Sequence, residues 1–584
     1  MENSKFHSSF YSDISNVYRS TINNSYKDPE ILYSRLSELK NKEYTVRKVF
    51  DPEILDERSL NANATQAIKT FEKGRWRKNV SDFTFNNFIL PYRCDDENIN
   101  HFDWRGYFLT KYIKDNGDSI FDKDIEQVAK NVHKWLSYKK KDFTVKFGTR
   151  DLQLPPLDIH TVDKLQMGSC RDIAKFSIAT FRAIGIPSAM DFTPMYLNLD
   201  SGHEWCAVIS DSTSCIPVDI KNEKLGNYKF PSFLVSKVYR KAFQPTVYNH
   251  LRLKGLCNYL PEFLNNPFLI DVTSSYFQTT NVAITIKDIP VGAKVAYLAV
   301  FAKVGWYPIA YGEIKDHSVV FPNIALNKGV YLPVTIEKSG QTILDDPFFL
   351  TESGQIREIT LDKASVETVE LTRKYPTNLS PILTHMSSIV GGIFQFANKK
   401  DFSDAITVHR IKSPPGFHYE EVNISNFKRY RYARYKASRG CPGNMAELEF
   451  YGNKVKLAGE IIGTSGSWRN SSEKVKEVAF DGNPLTFFES AHPDNNWIGL
   501  RFSQPQKITK IKFLSRNDLN SIYESNSYEL FYWDNDWISL GTKVANGKSI
   551  RYSNVPKGAL LWLRSDSGSE ERIFTYNGGK QIWW

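Results

Sequence analysis

The chain has 584 residues, more than one hydrophobic core supports, so several domains are expected. Apolar residues make up 41% and charged residues 24%, the ordinary balance of a globular protein, and there is no apolar run of the ~18 residues a membrane-spanning helix needs. The net charge of +10 is small for this length and spread along the chain, which argues against a nucleic-acid partner.

The first residues, Met1 to His7, carry no apolar core of a signal peptide. Six cysteines (Cys94, Cys170, Cys206, Cys215, Cys257 and Cys441) lack C-x-x-C spacing, so neither a disulfide framework nor a zinc site is expected. Residues 1–60 read as a polar helical segment, with helical spacing through Ile31, Leu32, Leu36 and Leu39. Further helices are expected around 62–71 and 125–136, with Asn87 to Arg93 as an apolar docking loop between them. All of this is expected to pack against the segment that follows.

That segment runs from Gly168 to Asp219. Ser169 can cap a helix beginning near Cys170, and Gly185 and Pro187 end it. Ile173, Ser177, Thr180 and Ile184 share one helical face. A thiol in a first helical turn meets unpaired N–H groups and the positive end of the dipole, which predicts a lowered thiol pKa. Residues 204–210 and 214–220 alternate as a hairpin centred near Ser212, placing Asp219 opposite Trp205 and diagonal to His203. A carboxylate there can hold one imidazole nitrogen while the other faces the thiol. A one-residue slip would separate them. Gln166, four residues before Cys170, is a candidate second donor to an oxyanion, beside the Cys170 backbone N–H. Cys206 and Cys215 read as packing residues of the hairpin, and Glu204 as facing solvent or a substrate amine.

From about 262 the texture changes to short alternating runs, at 282–286, 295–301 and 318–321, which predict a β-sandwich over 261–355. Residues 356–584 are also β-rich. A weak repeat relates 431–435 with 446–452 to 561–564 with 572–578, and predicts two β-domains in tandem, 356–454 and 455–584. The basic, aromatic run 428–436 reads as a strand with mixed faces.

The motifs Gly168-Ser169-Cys170-Arg171-Asp172, Phe181 to Pro187, Gly202-His203-Glu204-Trp205 and Val218-Asp219 together resemble the transglutaminase-like, papain-like superfamily, over roughly 60–250. The resemblance implies an α+β catalytic domain at 61–260, with Cys170 as nucleophile, His203 as base then acid, and Asp219 as the group orienting the imidazole. It implies a thiol hydrolase acting on an amide bond of a peptide, protein or glycoprotein, with no catalytic cofactor; a true amine-acceptor transglutaminase uses the same triad. The competing reading is a carbohydrate-binding or adhesive protein with a silent core.

Residues 455–584, with Asp481-Gly482-Asn483 and Trp497 to Phe502, resemble the discoidin (coagulation-factor type C) jelly roll. That resemblance implies a glycan or other surface ligand. It also implies a structural Ca²⁺ at Asp481, Asn483 and Thr486, although the late acid such sites use is missing where Glu571-Arg572-Ile573-Phe574 stands for Ala446-Glu447-Leu448-Glu449. The expected setting is secreted, periplasmic or cell-surface, with the leader absent from this chain, and the expected state a monomer.

Overall fold

The computed structural model describes residues 2–6, 46–50, 55–95, 97, 103–139, 144–145, 158–165, 167–211, 214–220, 225–226, 233–245, 255–256, 260, 263–286, 288–303, 305–376, 380–425, 428–468, 471–484, 486–566 and 569–584. They are mostly β-sheet, with the helices concentrated before residue 184. Two compact units divide the chain, 1–359 with Trp584, and 360–583.

In the first unit, β1 (Glu2–Phe6) and β2 (Val46–Phe50) pair antiparallel, so these two stretches of the expected helical segment 1–60 are strands instead, while residues 57–60 are helical. Val46 and Val49 are β-branched and Phe50 is aromatic, residue types that favour extended backbone. The periodic stretch 31–39 lies outside the described residues. Helix α1 (Glu57–Lys73) starts at Asp56, whose carboxylate accepts the Ser59 N–H at 2.6 Å. Helix α2 (Asp82–Phe88) is capped by Ser81 and takes in the first two residues of the expected docking loop. Helices α3 (Trp104–Asn116), α4 (Ile125–Lys139) and α5 (Ile159–Leu165) follow. Two short strands, β3 (Thr144–Val145) and β4 (Met167–Gly168), pair in parallel just before α6 (Cys170–Ala183).

Helix α6 opens with a capping box. Ser169 Oγ accepts the Asp172 N–H at 3.3 Å, and Asp172 Oδ2 accepts the Ser169 N–H at 3.0 Å. The helix is buried all round from Asp172 to Ala183, a wider face than the sequence period suggested. Helices cover one side and a sheet the other, and Ser177 and Thr180 return their hydroxyls to the carbonyls of Ile173 and Phe176.

The sheet against α6 has the order β7-β6-β5-β8-β9, all antiparallel: β5 (Ser188–Thr193), β6 (His203–Ile209), β7 (Cys215–Val218), β8 (Tyr239–Lys241) and β9 (Leu269–Asp271). Its fifth strand lies beyond residue 260, so the expected domain edge there falls inside the sheet. The strands expected at 282–286, 295–301 and 318–321 are present as Thr279–Thr285, Val295–Ala302 and Ser318–Ala325, and their sheet continues to Ile356–Glu358. Three side chains tie this sheet to the segment before β8. Tyr331 donates to Ser236 Oγ at 2.9 Å, Asn327 to the Val235 carbonyl at 2.6 Å, and Lys237 to the Pro322 carbonyl at 2.8 Å.

The second unit holds two β-sandwich layers whose segments interleave in sequence. Strand Trp497–Gln506 pairs with Tyr430–Lys436, and Lys510–Ser515 with Gly443–Gly452, around a core that includes Phe394, Phe450, Leu500 and Phe513. Strand Asp362–Leu371 pairs instead with Ile550–Lys557, in a second core with Leu530, Tyr552 and Phe574. The expected division at 454/455 therefore falls within one sandwich. Which strand meets which is decided by shared apolar faces far apart in sequence, and local similarity does not reveal it. In the run 428–436, Tyr430, Tyr432 and Tyr435 are buried, and Arg434 stacks on Phe402 (3.8 Å) and donates to Gln395 Oε1. Among the described residues no helix is long and apolar enough to cross a membrane.

Candidate functional site

Cys170 is the first residue of α6, half-buried at the edge where that helix meets β6. The backbone N–H groups of Glu204 and Arg171 lie close enough to its sulfur to favour the thiolate. Across the hairpin, Cys206 pairs with Val218 and Ile209 with Cys215. This register agrees with the one expected from a turn at 212 and ends at Val218, one residue short of Asp219. The Asp219 carboxylate is within electrostatic reach of His203 and favours its protonated form. The Asp219 carbonyl is in turn held by His133 Nε2 at 3.0 Å, from α4. The His203 ring stacks with Tyr196 (centroids 6.5 Å apart, 25° between planes) and with Trp205 (5.8 Å, 29°).

The protonation states differ from the sequence expectation. Burial pushes the Cys170 thiol up, and the Glu204 carboxylate pushes it further, outweighing the N–H groups at the helix start. Burial also holds His203 below the usual imidazole range, despite the pull of Asp219 and Glu204. Both shifts favour the uncharged forms, a thiol and a neutral imidazole. The helix start alone favours a thiolate, but burial and then the Glu204 carboxylate on the neighbouring strand outweigh it.

Glu204 belongs to a cluster of two acids and two bases. Asp95 accepts from Arg171 Nε at 2.6 Å and from Lys241 Nζ at 2.8 Å, while Glu204 lies 3.6 Å from each base. These two bases hold the Asp95 carboxyl far below the usual carboxylate range against the cost of burial. Arg171 and Glu204 adjoin Cys170 and His203 in sequence and could have been suspected for that reason. Asp95 and Lys241 carry no local signal and are found only through the fold. Replacing Glu204 by Gln removes the like charge nearest the thiol. It is expected to speed iodoacetamide alkylation of Cys170 at pH 7 by about threefold or more, read by peptide mass spectrometry; an unchanged rate would mean the thiol does not feel that carboxylate.

Gln166 lies outside the described residues. Cys206 is fully buried and Cys215 half-buried on the hairpin, in keeping with packing roles, and Cys94, Cys170, Cys206, Cys215 and Cys441 are all thiols. Cys94, deep in the core, has its pKa raised by burial.

The Asp481 loop lies in the second unit. Asp481 accepts from Thr486 Oγ1 at 3.0 Å and from the Asn483 N–H at 2.7 Å, while the Asn483 carbonyl accepts from Thr486 at 2.9 Å. A second acid lies near this loop, on an earlier strand. Glu447, on Gly443–Gly452, is fully buried beside Asp481, and neither of its carboxylate oxygens accepts a hydrogen bond from a described residue. Burial and Asp481 push its pKa up to about 8. Glu571 is committed elsewhere, accepting from Trp562 Nε1 at 3.1 Å and the Ser565 N–H at 3.0 Å. Among the described residues no group of three or more His, Cys, Asp or Glu side chains is placed to hold a metal ion. The set is two carboxylates with hydroxyl and carbonyl oxygens, all hard donors that suit Ca²⁺ rather than a thiophilic metal.

A scan against protein families matches residues 462–559 to the F5/8 type C domain. The match begins in one sandwich of the second unit, with Glu460–Gly463 and Trp497–Gln506, and ends in the other, with Ile550–Lys557. A search of curated proteins found no match.

Proposed function

We propose that the first unit is a thiol hydrolase of the transglutaminase-like superfamily, cleaving an amide bond in a peptide or glycoprotein. The observation that carries this reading is the meeting of three elements. The α6 start brings Cys170 to the Glu204 N–H, and the hairpin register brings Asp219 to His203. In this chemistry His203 takes the thiol proton as sulfur attacks the carbonyl, and returns it to the departing amine. Water then releases the acyl group from sulfur, with His203 again as base. N–H groups at the start of α6 point toward the charge that develops on the carbonyl oxygen. Asp219 keeps the imidazole in the tautomer that can accept from sulfur. An amine in place of water would make the same site a transamidase. Incubating the intact chain and its Cys170→Ala variant with peptide and glycopeptide libraries, read by mass spectrometry, tests the proposal; product formation that is equal in both would sink it.

The F5/8 type C match supports a second, compatible role, since such domains in general bind carbohydrate or other ligands. A glycan-binding unit would hold the hydrolase on a glycosylated surface and raise its effective concentration there. This favours work outside the cytoplasm.

In the second unit Asp481, Glu447, Thr486 and the Asn483 carbonyl would hold a structural calcium, which would neutralise the two adjacent carboxylates. Adding Ca²⁺ at about 100 times its Kd to EDTA-treated protein is expected to raise the thermal midpoint of this unit by about 5–10 °C. The Glu447→Gln variant should lose that shift. A shift of the same size in the variant would remove Glu447 from the site.

A further inference from the structure

The hydrogen bonds behind His203 lead out of the central sheet into the segment that enters the unit's sandwich. Trp205, two residues along β6, turns the face of its indole to the imidazole, 5.8 Å between centroids. Its Nε1–H donates to the Tyr276 hydroxyl at 2.9 Å, and that hydroxyl donates to Asp191 Oδ2 at 2.6 Å. Arg240 donates to both oxygens of the same carboxylate, at 2.8 and 2.7 Å. Asp191 lies on β5 between the two partners, directly opposite Trp205 on one side and Arg240 on the other. Trp205 and Asp191 are 2% and 0% exposed, so water cannot substitute for a lost partner without rearrangement. The Tyr276 ring also meets the indole edge-on, at 5.5 Å and 85°.

We propose that Tyr276 is a positioning residue for His203, acting through Trp205; this rests on reading Cys170 and His203 as the reactive pair. A charge-assisted bond to a carboxylate fixed by Arg240 sets the phenol, and the phenol sets the rotation of the indole. An indole face within about 6 Å of a ring that gains a proton stabilises the imidazolium, the state His203 enters when it takes the thiol proton. Tyr196 also stacks on the ring, and the charged groups bearing on His203 are Asp219 and Glu204, the latter beside Arg171 and Lys241. The reactive pair is thereby tuned by a residue beyond the 61–260 segment that carries the triad.

The test follows Cys170 alkylation by iodoacetamide against pH in the intact chain, read on the Cys170 peptide. Tyr276→Phe and Trp205→Phe each keep a ring and lose one polar atom. Each is expected to slow alkylation at neutral pH by about three- to tenfold and to move its inflection, with the double variant no slower than the slower single. A wild-type profile in Tyr276→Phe, or effects that multiply in the double variant, would overturn the proposal. If Tyr276→Phe does not fold, a wild-type profile in Trp205→Phe overturns it equally. His203→Ala in the same assay separates the two levels. No change there brings down the Cys170–His203 reading itself, whereas a change there with none in Tyr276→Phe removes only the role of Tyr276.

Discussion

Cys170→Ala is expected to lower amide cleavage by about 10³-fold or more, with His203→Ala close behind and the double variant little worse than either. Residues that act as one unit fail together, so near-additive losses would contradict a shared step. The pH profile gives a second signature. His203 must be neutral to accept the thiol proton, and its pKa lies below the ordinary imidazole range because burial disfavours the cation. As pH falls, kcat/KM should therefore persist past about 6.5 and fail only at lower pH. An acid limb above that value would mean that the imidazole is not in the environment described here. Only a small loss in Cys170→Ala would favour the binding reading, in which the core is silent.

Arg105→Ala is expected to cost about 3–5 kcal/mol, the largest stability effect in the first unit. Arg105 is 0% exposed, and its guanidinium donates to the carbonyls of Ile89 (2.6 Å), Leu90 (3.1 Å), Pro91 (2.8 Å) and Arg182 (3.0 Å) and to Asn63 Oδ1 (2.9 Å). It joins α1, α3, the end of α6 and the run after α2. Burial, with Arg182 nearby, pulls its pKa down to about 9. Truncation would strand four carbonyls in the core. Arg105→Lys should recover only part of the loss, because one ammonium cannot span positions that a planar fork reaches. Hydrogen exchange of α3 and α6 amides reads the effect, and a loss below about 1 kcal/mol would show that water replaces the guanidinium.

Much of the site was legible locally. A cap, a helix start and a stop place Cys170, and alternation about a turn sets the register of His203 and Asp219, because each signal acts within a few residues. The resemblance added roles that spacing alone does not supply. The charge environment was not legible. Asp95 and Lys241 come from distant segments, and the upward shift of the thiol depends on burial and on Glu204, which only packing reveals.

The same division holds for the β-rich half. Strand positions such as 430–436, 443–452 and 497–506 follow from alternation, which is a property of neighbours along the chain. Their partners do not. The pairing of Ala433 with Leu500 and of Leu371 with Ile550 puts apolar faces from distant segments into common cores, so the division at 454/455 dissolved. It also brought Glu447, from an earlier strand, beside Asp481. Sequence by itself determined which residues cap, turn and alternate, since those are short-range steric and hydrogen-bonding preferences. Tertiary structure decided which charges and which strands meet, because burial and electrostatics depend on neighbours in space.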